Sequence, residues 1–370
     1  MAAGSQPGRL AVRLGGGCLH LAGAGPGRPR GRRADVATLR RHQYADPVMN
    51  GRADAPDETL ELPEPARSLF RKTRSALETQ VSAPAADGEG YKLGGGTILA
   101  ARWKHRRSND IDVLFHPDTK TSHFEAELGK ALEAAGGVPL GWGEWSRIEF
   151  GGNHLDLLKG EPTPAVGHKP ASIDGSPVTV LTTVQILNGK LGYRALDPPT
   201  RDVYDIAVCG IEDPESLEIV MNGLYESKLD ATILGWKMSE GKHAGNAAEQ
   251  ILDVPARLEP VRKNPAQYAI RAAENSLYSR VVIDCERGRA HVRTTCAEAE
   301  RTRTYSDTGE LERGFEIAGI NRFLRAQGES AEQARVSAAS AMASRQTTIV
   351  FEIEPRLPRK RAVELEPIPR

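Results

Sequence analysis

Three acidic side chains have types and spacing that could do chemistry. Asp110-Ile111-Asp112 opens the run DIDVLF, Asp110–Phe115, which reads as a strand closed by His116-Pro117. Side chains alternate faces along a strand, so both carboxylates point one way and Ile111 points into the core. Two carboxylates side by side repel unless a divalent cation neutralises them, and hard oxygen donors suit Mg²⁺ or Mn²⁺. Asp156 is the third acid, set in the apolar frame Leu155-Asp156-Leu157-Leu158. A lone acid in an apolar strand is costly unless it is paired or metal-bound. With its strand beside that of Asp110 and Asp112, the three can hold one or two metals about 3.5–4 Å apart.

Phosphate chemistry is foreshadowed upstream. Gly94-Gly95-Gly96-Thr97 separates a short extended run, Tyr91–Leu93, from a short helix expected from Ile98 to about His105. Glycines there allow close backbone approach, and a helix N-terminus offers free N–H groups to a phosphate. Thr97 adds a hydroxyl, and His105-Arg106-Arg107-Ser108 brings cations for polyphosphate charge. A second group lies further on. Lys190 and Arg194 are four apart on a predicted helix and share a face, as do Asp202 and Asp205 on the next. Capping of its own helix is the plainer role for Asp202, just after Pro198-Pro199.

The order of these features resembles that of the nucleotidyltransferase superfamily sharing its palm with polymerase beta. More narrowly, Gly95-Gly96-Thr97 … His105-Arg106-Arg107-Ser108-Asn109-Asp110-Ile111-Asp112 resembles the G-G-T … H-R-x-S-x-D-I-D signature of the AbiEii-like nucleotidyltransferases, toxins of abortive-infection, type IV-class toxin–antitoxin systems. Lys190-x-x-x-Arg194 and Arg201-Asp202-Val203-Tyr204-Asp205-Ile206 resemble that family's later motifs, and the likeness spans roughly 88–210. The resemblance implies metal-dependent transfer of a nucleoside monophosphate from an NTP. Asp110 and Asp112 would hold Mg²⁺ and the triphosphate, and Asp156 would share the metal beside the acceptor hydroxyl. Gly95, Gly96 and Thr97 would cradle phosphate, Arg106 and Ser108 would orient the loop or the phosphates, and Lys190 would meet the triphosphate. Asp202 would accept the acceptor's proton. The acceptor would be RNA, such as a tRNA 3′ end, or a protein hydroxyl, and a cognate antitoxin would be a partner. Two other readings are a small-molecule nucleotidyltransferase of the antibiotic-modifying type and a nucleotide-binding regulatory protein that has lost turnover.

Several elements must position these residues. Leu69, Phe70, Thr73, Leu77 and Val81 form a helical stripe, and Phe124, Leu128, Ala131, Leu132 and Ala135 form another ending at Gly136-Gly137. Arg147–Phe150 and His154–Leu158 read as a hairpin around Gly151-Gly152-Asn153. Thr182 or Thr183 caps a helix through Arg194, and Asp202–Cys209 continues as a second. Residues 212–275 are helical and polar. Arg280–Asp284 and Ala290–Thr295 pair across Glu286–Arg289, and a helix near 329–344 and a strand at Thr347–Glu354 close the chain. The expected class is α/β (α+β), a nucleotidyltransferase palm over 61–210 followed by a mostly helical region with a small β element over 211–354. Residues 1–60 read as a disordered Gly/Arg-rich extension and 355–370 as a loose tail.

The 370 residues carry 49 Lys+Arg against 49 Asp+Glu. That zero is an average: the first 50 residues hold eight arginines, no lysine and two acids, and the rest of the chain cancels them. Such a segment, with nine glycines, buries too little to offset its ordering entropy. It reads as a flexible extension before a start at Met49, or as a transit peptide. Signal-peptide character is broken by glycines and His20. No run of about 18 apolar residues offers a transmembrane helix. Cys18, Cys209, Cys285 and Cys296 lack zinc-finger spacing and read as buried thiols of a reducing, cytoplasmic compartment. Trp142, Trp145 and Trp236 could stack a base but read first as packing residues. His154 reads as a surface or turn histidine, and Arg301-Thr302-Arg303 and Arg359-Lys360-Arg361 read as solvated faces before RNA contacts.

Overall fold

Asp110–Phe115 lies in the interior of an eight-stranded mixed sheet, and the rest of the site is assembled from its neighbours. The structure is a computed structural model and describes residues 10–13, 58–80, 91–115, 127–141, 145–159, 169–194, 197–286, 288–297, 299–327, 329–344 and 349–353. Phe124, Trp142 and the 355–370 tail lie outside them. In chain order the first elements are β1 (Leu10–Arg13), β2 (Glu58–Leu60), α1 (Ala66–Gln80), β3 (Lys92–Gly94), α2 (Gly95–Trp103), β4 (Asp110–Phe115), α3 (Gly129–Ala134), β5 (Val138–Pro139), β6 (Trp145–Phe150), β7 (Asn153–Lys159), β8 (Lys169–Ile173), β9 (Ser176–Val180), α4 (Thr183–Arg194) and α5 (Thr200–Glu212). The remainder are α6 (Pro214–Gly223), α7 (Glu226–Met238), α8 (Glu240–Gln250), a 3₁₀ turn at Ala256–Leu258, α9 (Glu259–Lys263), α10 (Pro265–Asn275), β10 (Arg280–Glu286), β11 (Arg289–Thr295), β12 (Glu300–Tyr305), α11 (Thr308–Ile317), α12 (Ile320–Gln327), α13 (Glu329–Ser344) and β13 (Ile349–Ile353). The class is the α/β (α+β) one expected, with a mixed sheet, flanking helices, a helical region and a smaller second sheet.

The large sheet has the order β2-β8-β9-β3-β4-β7-β6-β5. β4 pairs antiparallel with β3 and parallel with β7, and the predicted β6–β7 hairpin forms around Gly151 and Gly152, both at positive φ. The β8–β9 hairpin was not read from the sequence, because Pro170 and Pro177 argue against strands. Neither proline faces a ladder on its outer side: β2 pairs only with Ala171–Ile173, and β3 only with Thr179 and Val180. The overlooked signal is Asp174-Gly175, both at positive φ, in the two-residue turn between Ile173 and Ser176.

Helix starts explain how α2 and α4 are aimed. α2 begins at Gly95, one turn earlier than expected, so Gly95 and Gly96 belong to the helix start and Gly94 ends β3. α4 is fixed by a reciprocal cap. The Thr182 hydroxyl accepts from the Gln185 N–H at 3.3 Å, and the Gln185 side chain accepts from the Thr182 N–H at 3.0 Å. Such a cap is worth about 1 kcal/mol.

The apolar core containing the α1 stripe (Leu69, Phe70, Leu77) runs without interruption from Leu60 to Leu277. The boundary expected near 210 therefore falls inside one core, because Val203, Ile206 and Ala207 of α5 are buried and α5 packs on α10. A second core, Tyr278 to Met342, lies between the five-stranded sheet β1-β13-β10-β11-β12 and α11–α13. The 1–60 segment expected to be unstructured contributes β1, whose Leu-Ala-Val-Arg run pairs parallel with β13, and β2, which pairs parallel with β8. β12 corrects the reading of Arg301-Thr302-Arg303: alternation turns Arg301 to Glu218 at 2.9 Å and Arg303 to Glu215 at 2.9 Å, so both arginines are spent within the fold. Trp236 is fully buried within the apolar core, the packing role read first from the sequence.

Candidate active site

One cross-strand row organises the site. Gly94 on β3 stands opposite Asp112 on β4, Asp112 opposite Asp156 on β7, and Asp156 opposite Arg147 on β6. The adjacent row pairs Asp110 with His154. Parallel pairing of β4 with β7 thus brings the three sequence-selected acids onto one face. Arg147 and His154, not selected as site residues, arrive with them. Their signal was available in the alternation of β6 and β7, which puts both on the carboxylate side once the register is known.

Gly95 explains how close α2 comes to this row. Its φ is +70°, and a Cβ there would lie 1.5 Å from Asp112 Oδ2. Only glycine admits the carboxylate at the helix start. Gly96 serves the other flank, where a Cβ would lie 2.2 Å from Arg106 Nη2. The buried Thr97 hydroxyl contacts Ser108 Oγ at 2.7 Å and donates to the Asp110 carbonyl. Thr97 and Ser108 therefore fasten α2 to the start of β4 and have little left for a phosphate.

Behind the row lies a buried ion cluster. Asp205 accepts from Arg106 Nε at 2.7 Å and Nη2 at 2.9 Å, meets His105 Nε2 at 2.8 Å, and lies 3.0 Å from Lys190 Nζ. Lys190 also donates to Asp202. Burial alone would raise the Asp205 pKa, but Arg106 and Lys190 hold its carboxyl well below the usual range. Burial likewise works against Lys190, and Asp202 with Asp205 outweighs it, leaving the ammonium raised. Burial lowers the His105 imidazole. The Tyr204 hydroxyl donates to the His105 carbonyl at 3.1 Å, and the Arg107 N–H donates to the Leu252 carbonyl at 2.9 Å, which pins the basic turn between α5 and the helical region. Arg106 is thus turned inward on Asp205, and Lys190 rests between two carboxylates. Both are ion-paired to α5 in this structure; the resemblance implied a triphosphate contact for Lys190. Arg194 lies on α4, but its side chain is outside the described residues.

The front of the site is unevenly neutralised. Asp110 meets His154 Nδ1 at 2.9 Å and Arg201 Nη1 at 3.7 Å. Asp156 is held by Arg147, with Nε on Oδ1 at 2.8 Å and Nη2 on Oδ2 at 2.9 Å. Asp112 has no hydrogen-bond donor on its carboxylate among the described residues. Burial first, then the charge of Asp156, push its pKa up to about 6, and Lys190 only partly relieves it. A partly buried, uncompensated carboxylate beside two others is chemically suited to a divalent cation. No three His, Cys, Asp or Glu side chains among the described residues are gathered into a ready-made metal site. The donor chemistry fits Mg²⁺ or Mn²⁺, while Asp156 is turned to Arg147.

No protein-family model and no curated protein sequence matches the chain. Among solved structures, it is similar to an H. pylori protein provisionally described as a nucleotidyltransferase, at 14% identity and a TM-score of 0.34, over 58% of this chain and 95% of that one. It is also similar to a chain of the E. coli MS115-1 CdnC:HORMA-deltaN complex, at 15% identity and a TM-score of 0.24, over 59% of this chain and 86% of that one. Neither overlap assigns an activity or a site residue here. No helix among the described residues is long and apolar enough to cross a membrane.

Proposed function

We propose that this chain is a metal-dependent nucleotidyltransferase that moves a nucleoside monophosphate from an NTP to a hydroxyl of RNA, such as a tRNA 3′ end, or of a protein. The observation that carries this reading is the row Gly94–Asp112–Asp156, in which an uncompensated carboxylate stands between a glycine-led helix start and a second acid. Asp110, Asp112 and Asp156 would hold Mg²⁺ or Mn²⁺, which when bound neutralises phosphate charge and polarises the transferred phosphoryl group. Helix α2 starts at Gly95, and the free N–H groups of a helix start suit phosphate oxygens. Arg201, beside Asp110 and about half exposed, can meet the outer phosphates. Lys190 holds Asp202 and Asp205 in place, so proton acceptance by Asp202 requires Lys190 to shift its weight onto Asp205.

The G-G-T … H-R-x-S-x-D-I-D signature extends this reading to a growth-inhibiting toxin held in check by a cognate antitoxin. The test is transfer of label from each α-labelled NTP, with Mg²⁺, to total RNA and to protein, beside induced expression in a growing culture. Labelled product and growth arrest are expected from the native chain and neither from the Asp110→Asn/Asp112→Asn variant. No product with any NTP, and no growth difference between the two, would sink the proposal. The Arg147–Asp156 pair favours one second reading, a nucleotide-binding regulatory protein without turnover. Nucleotide binding with no product under every metal would support it.

A further inference from the structure

We propose that Arg147 is the resident counter-cation of Asp156, and that metal takes up Asp156 only by displacing this guanidinium. The inference rests on the transferase reading, and it names a positioning residue that neither the motifs nor the comparisons select. Three observations carry it. Both Asp156 oxygens are occupied by one fork-shaped donor at 2.8 and 2.9 Å, which leaves no oxygen facing Asp112 free of a competing cation. The pairing is enforced by register, since Arg147 and Asp156 are direct partners across β6 and β7. The neutralisation is also asymmetric: Asp156 is 10% exposed and fully paired, while Asp112, its partner on the other side, carries no donor among the described residues.

A guanidinium cannot be deprotonated in a protein, so this competitor does not titrate away. It is removed only by rotation of its side chain, and at 31% exposure Arg147 has solvent on one side into which to turn. Asp110 and Asp112 would then form the primary metal site, with Asp156 joining when Arg147 leaves. Displacement of Arg147 completes the ligand set and turns its guanidinium away from Asp156 at the rim of the site. His154, 3.6 Å from Asp156 and 2.9 Å from Asp110, bridges the two acids and stays in the second row throughout.

The experiment is Mn²⁺ binding to the full-length chain without nucleotide, read by calorimetry and by the free-Mn²⁺ electron paramagnetic resonance signal. The set comprises native protein, Arg147→Met, Asp156→Asn and the double variant. Methionine keeps the apolar stem and removes the charge. Arg147→Met should tighten Mn²⁺ by about tenfold, the scale of one charge-assisted pair. Asp156→Asn should change affinity little in the native background, and should abolish the gain in the Arg147→Met background. Equal effects of Asp156→Asn in both backgrounds, or unchanged affinity in Arg147→Met, overturn the proposal. Arg147→Lys, which keeps the charge but not the fork, should fall between and guards against a folding artefact, with circular dichroism as the check. If Mn²⁺ binding is indifferent to Asp110→Asn/Asp112→Asn, the metal reading itself fails, a result distinct from failure of the Arg147 assignment.

Discussion

Asp205→Ala tests the buried cluster on which the whole site leans. The carboxylate is inaccessible to solvent and takes four contacts at 2.7–3.0 Å from His105, Arg106 and Lys190. Lys190 retains Asp202, so the loss falls on Arg106, a buried guanidinium whose remaining hydrogen bond among the described residues is to the Arg107 carbonyl at 3.0 Å. Removing one partner of a buried pair costs about 3–5 kcal/mol, because the remaining charge is uncompensated. In a chain of 370 residues that is a fall in Tm of roughly 4–6 °C. Urea unfolding followed by circular dichroism measures it. The carboxyl is held well below its usual range, so its contribution is complete above the unfolded-state pKa of about 4 and is lost as pH falls through the lower folded value. The gap between native and variant should therefore be flat from pH 8 to 5 and close only in stronger acid. It should also survive 1 M NaCl, since screening acts mainly on exposed charges. A loss under about 1 kcal/mol, or a gap halved by salt, would show that the cluster is a surface network and refute the reasoning.

Three further outcomes follow from the geometry. The raised Asp112 carboxyl, up to about 6, means that its ionisation weakens the metal-free fold as pH rises from about 4 through 6; Asp112→Asn should gain roughly 1–3 kcal/mol at pH 8 and nothing at pH 4 by thermal unfolding, and added Mg²⁺ should stabilise the native chain more than the variant. Gly95→Ala should cost roughly 1–2 kcal/mol for its left-handed backbone and also lose transferase activity, since its Cβ displaces Asp112; Gly151→Ala, at φ +61° with nothing within 4 Å, should show the backbone cost alone. Burial pushes the thiols of Cys285 up to about 11 and Cys296 up to about 12, and Cys209 well above its usual value; iodoacetamide at pH 8 should label these three peptides only in urea, as read by mass spectrometry.

What could be read from the chain alone follows the range over which each signal acts. Strand β4, the β6–β7 hairpin and helices α4 and α5 rest on alternation, turn glycines and caps within a dozen residues, and sequence carries those directly. The grouping of Asp110, Asp112 and Asp156 needed one non-local fact, that β7 lies parallel beside β4, and the sequence could pose that only as a condition. The partners of those acids were hidden for the same reason. Arg147 looks like a surface arginine and His154 a turn histidine until register sets them opposite Asp156 and Asp110. The inward turn of Arg106 was equally illegible, because it is decided by Asp205, 99 residues away. Tertiary ion pairing overrides what a basic turn suggests by composition.

Helix α5 gives the molecule a mechanical property. One of its faces holds Asp202 and Asp205 against Lys190 and Arg106, and another packs on α10 of the helical region. A protein fragment ending near 210 would strip that second face to water and lose the support of the ion cluster with it. The large-sheet region is therefore not a transplantable module, because the residues behind the acids lean on the helical region through α5 and α10.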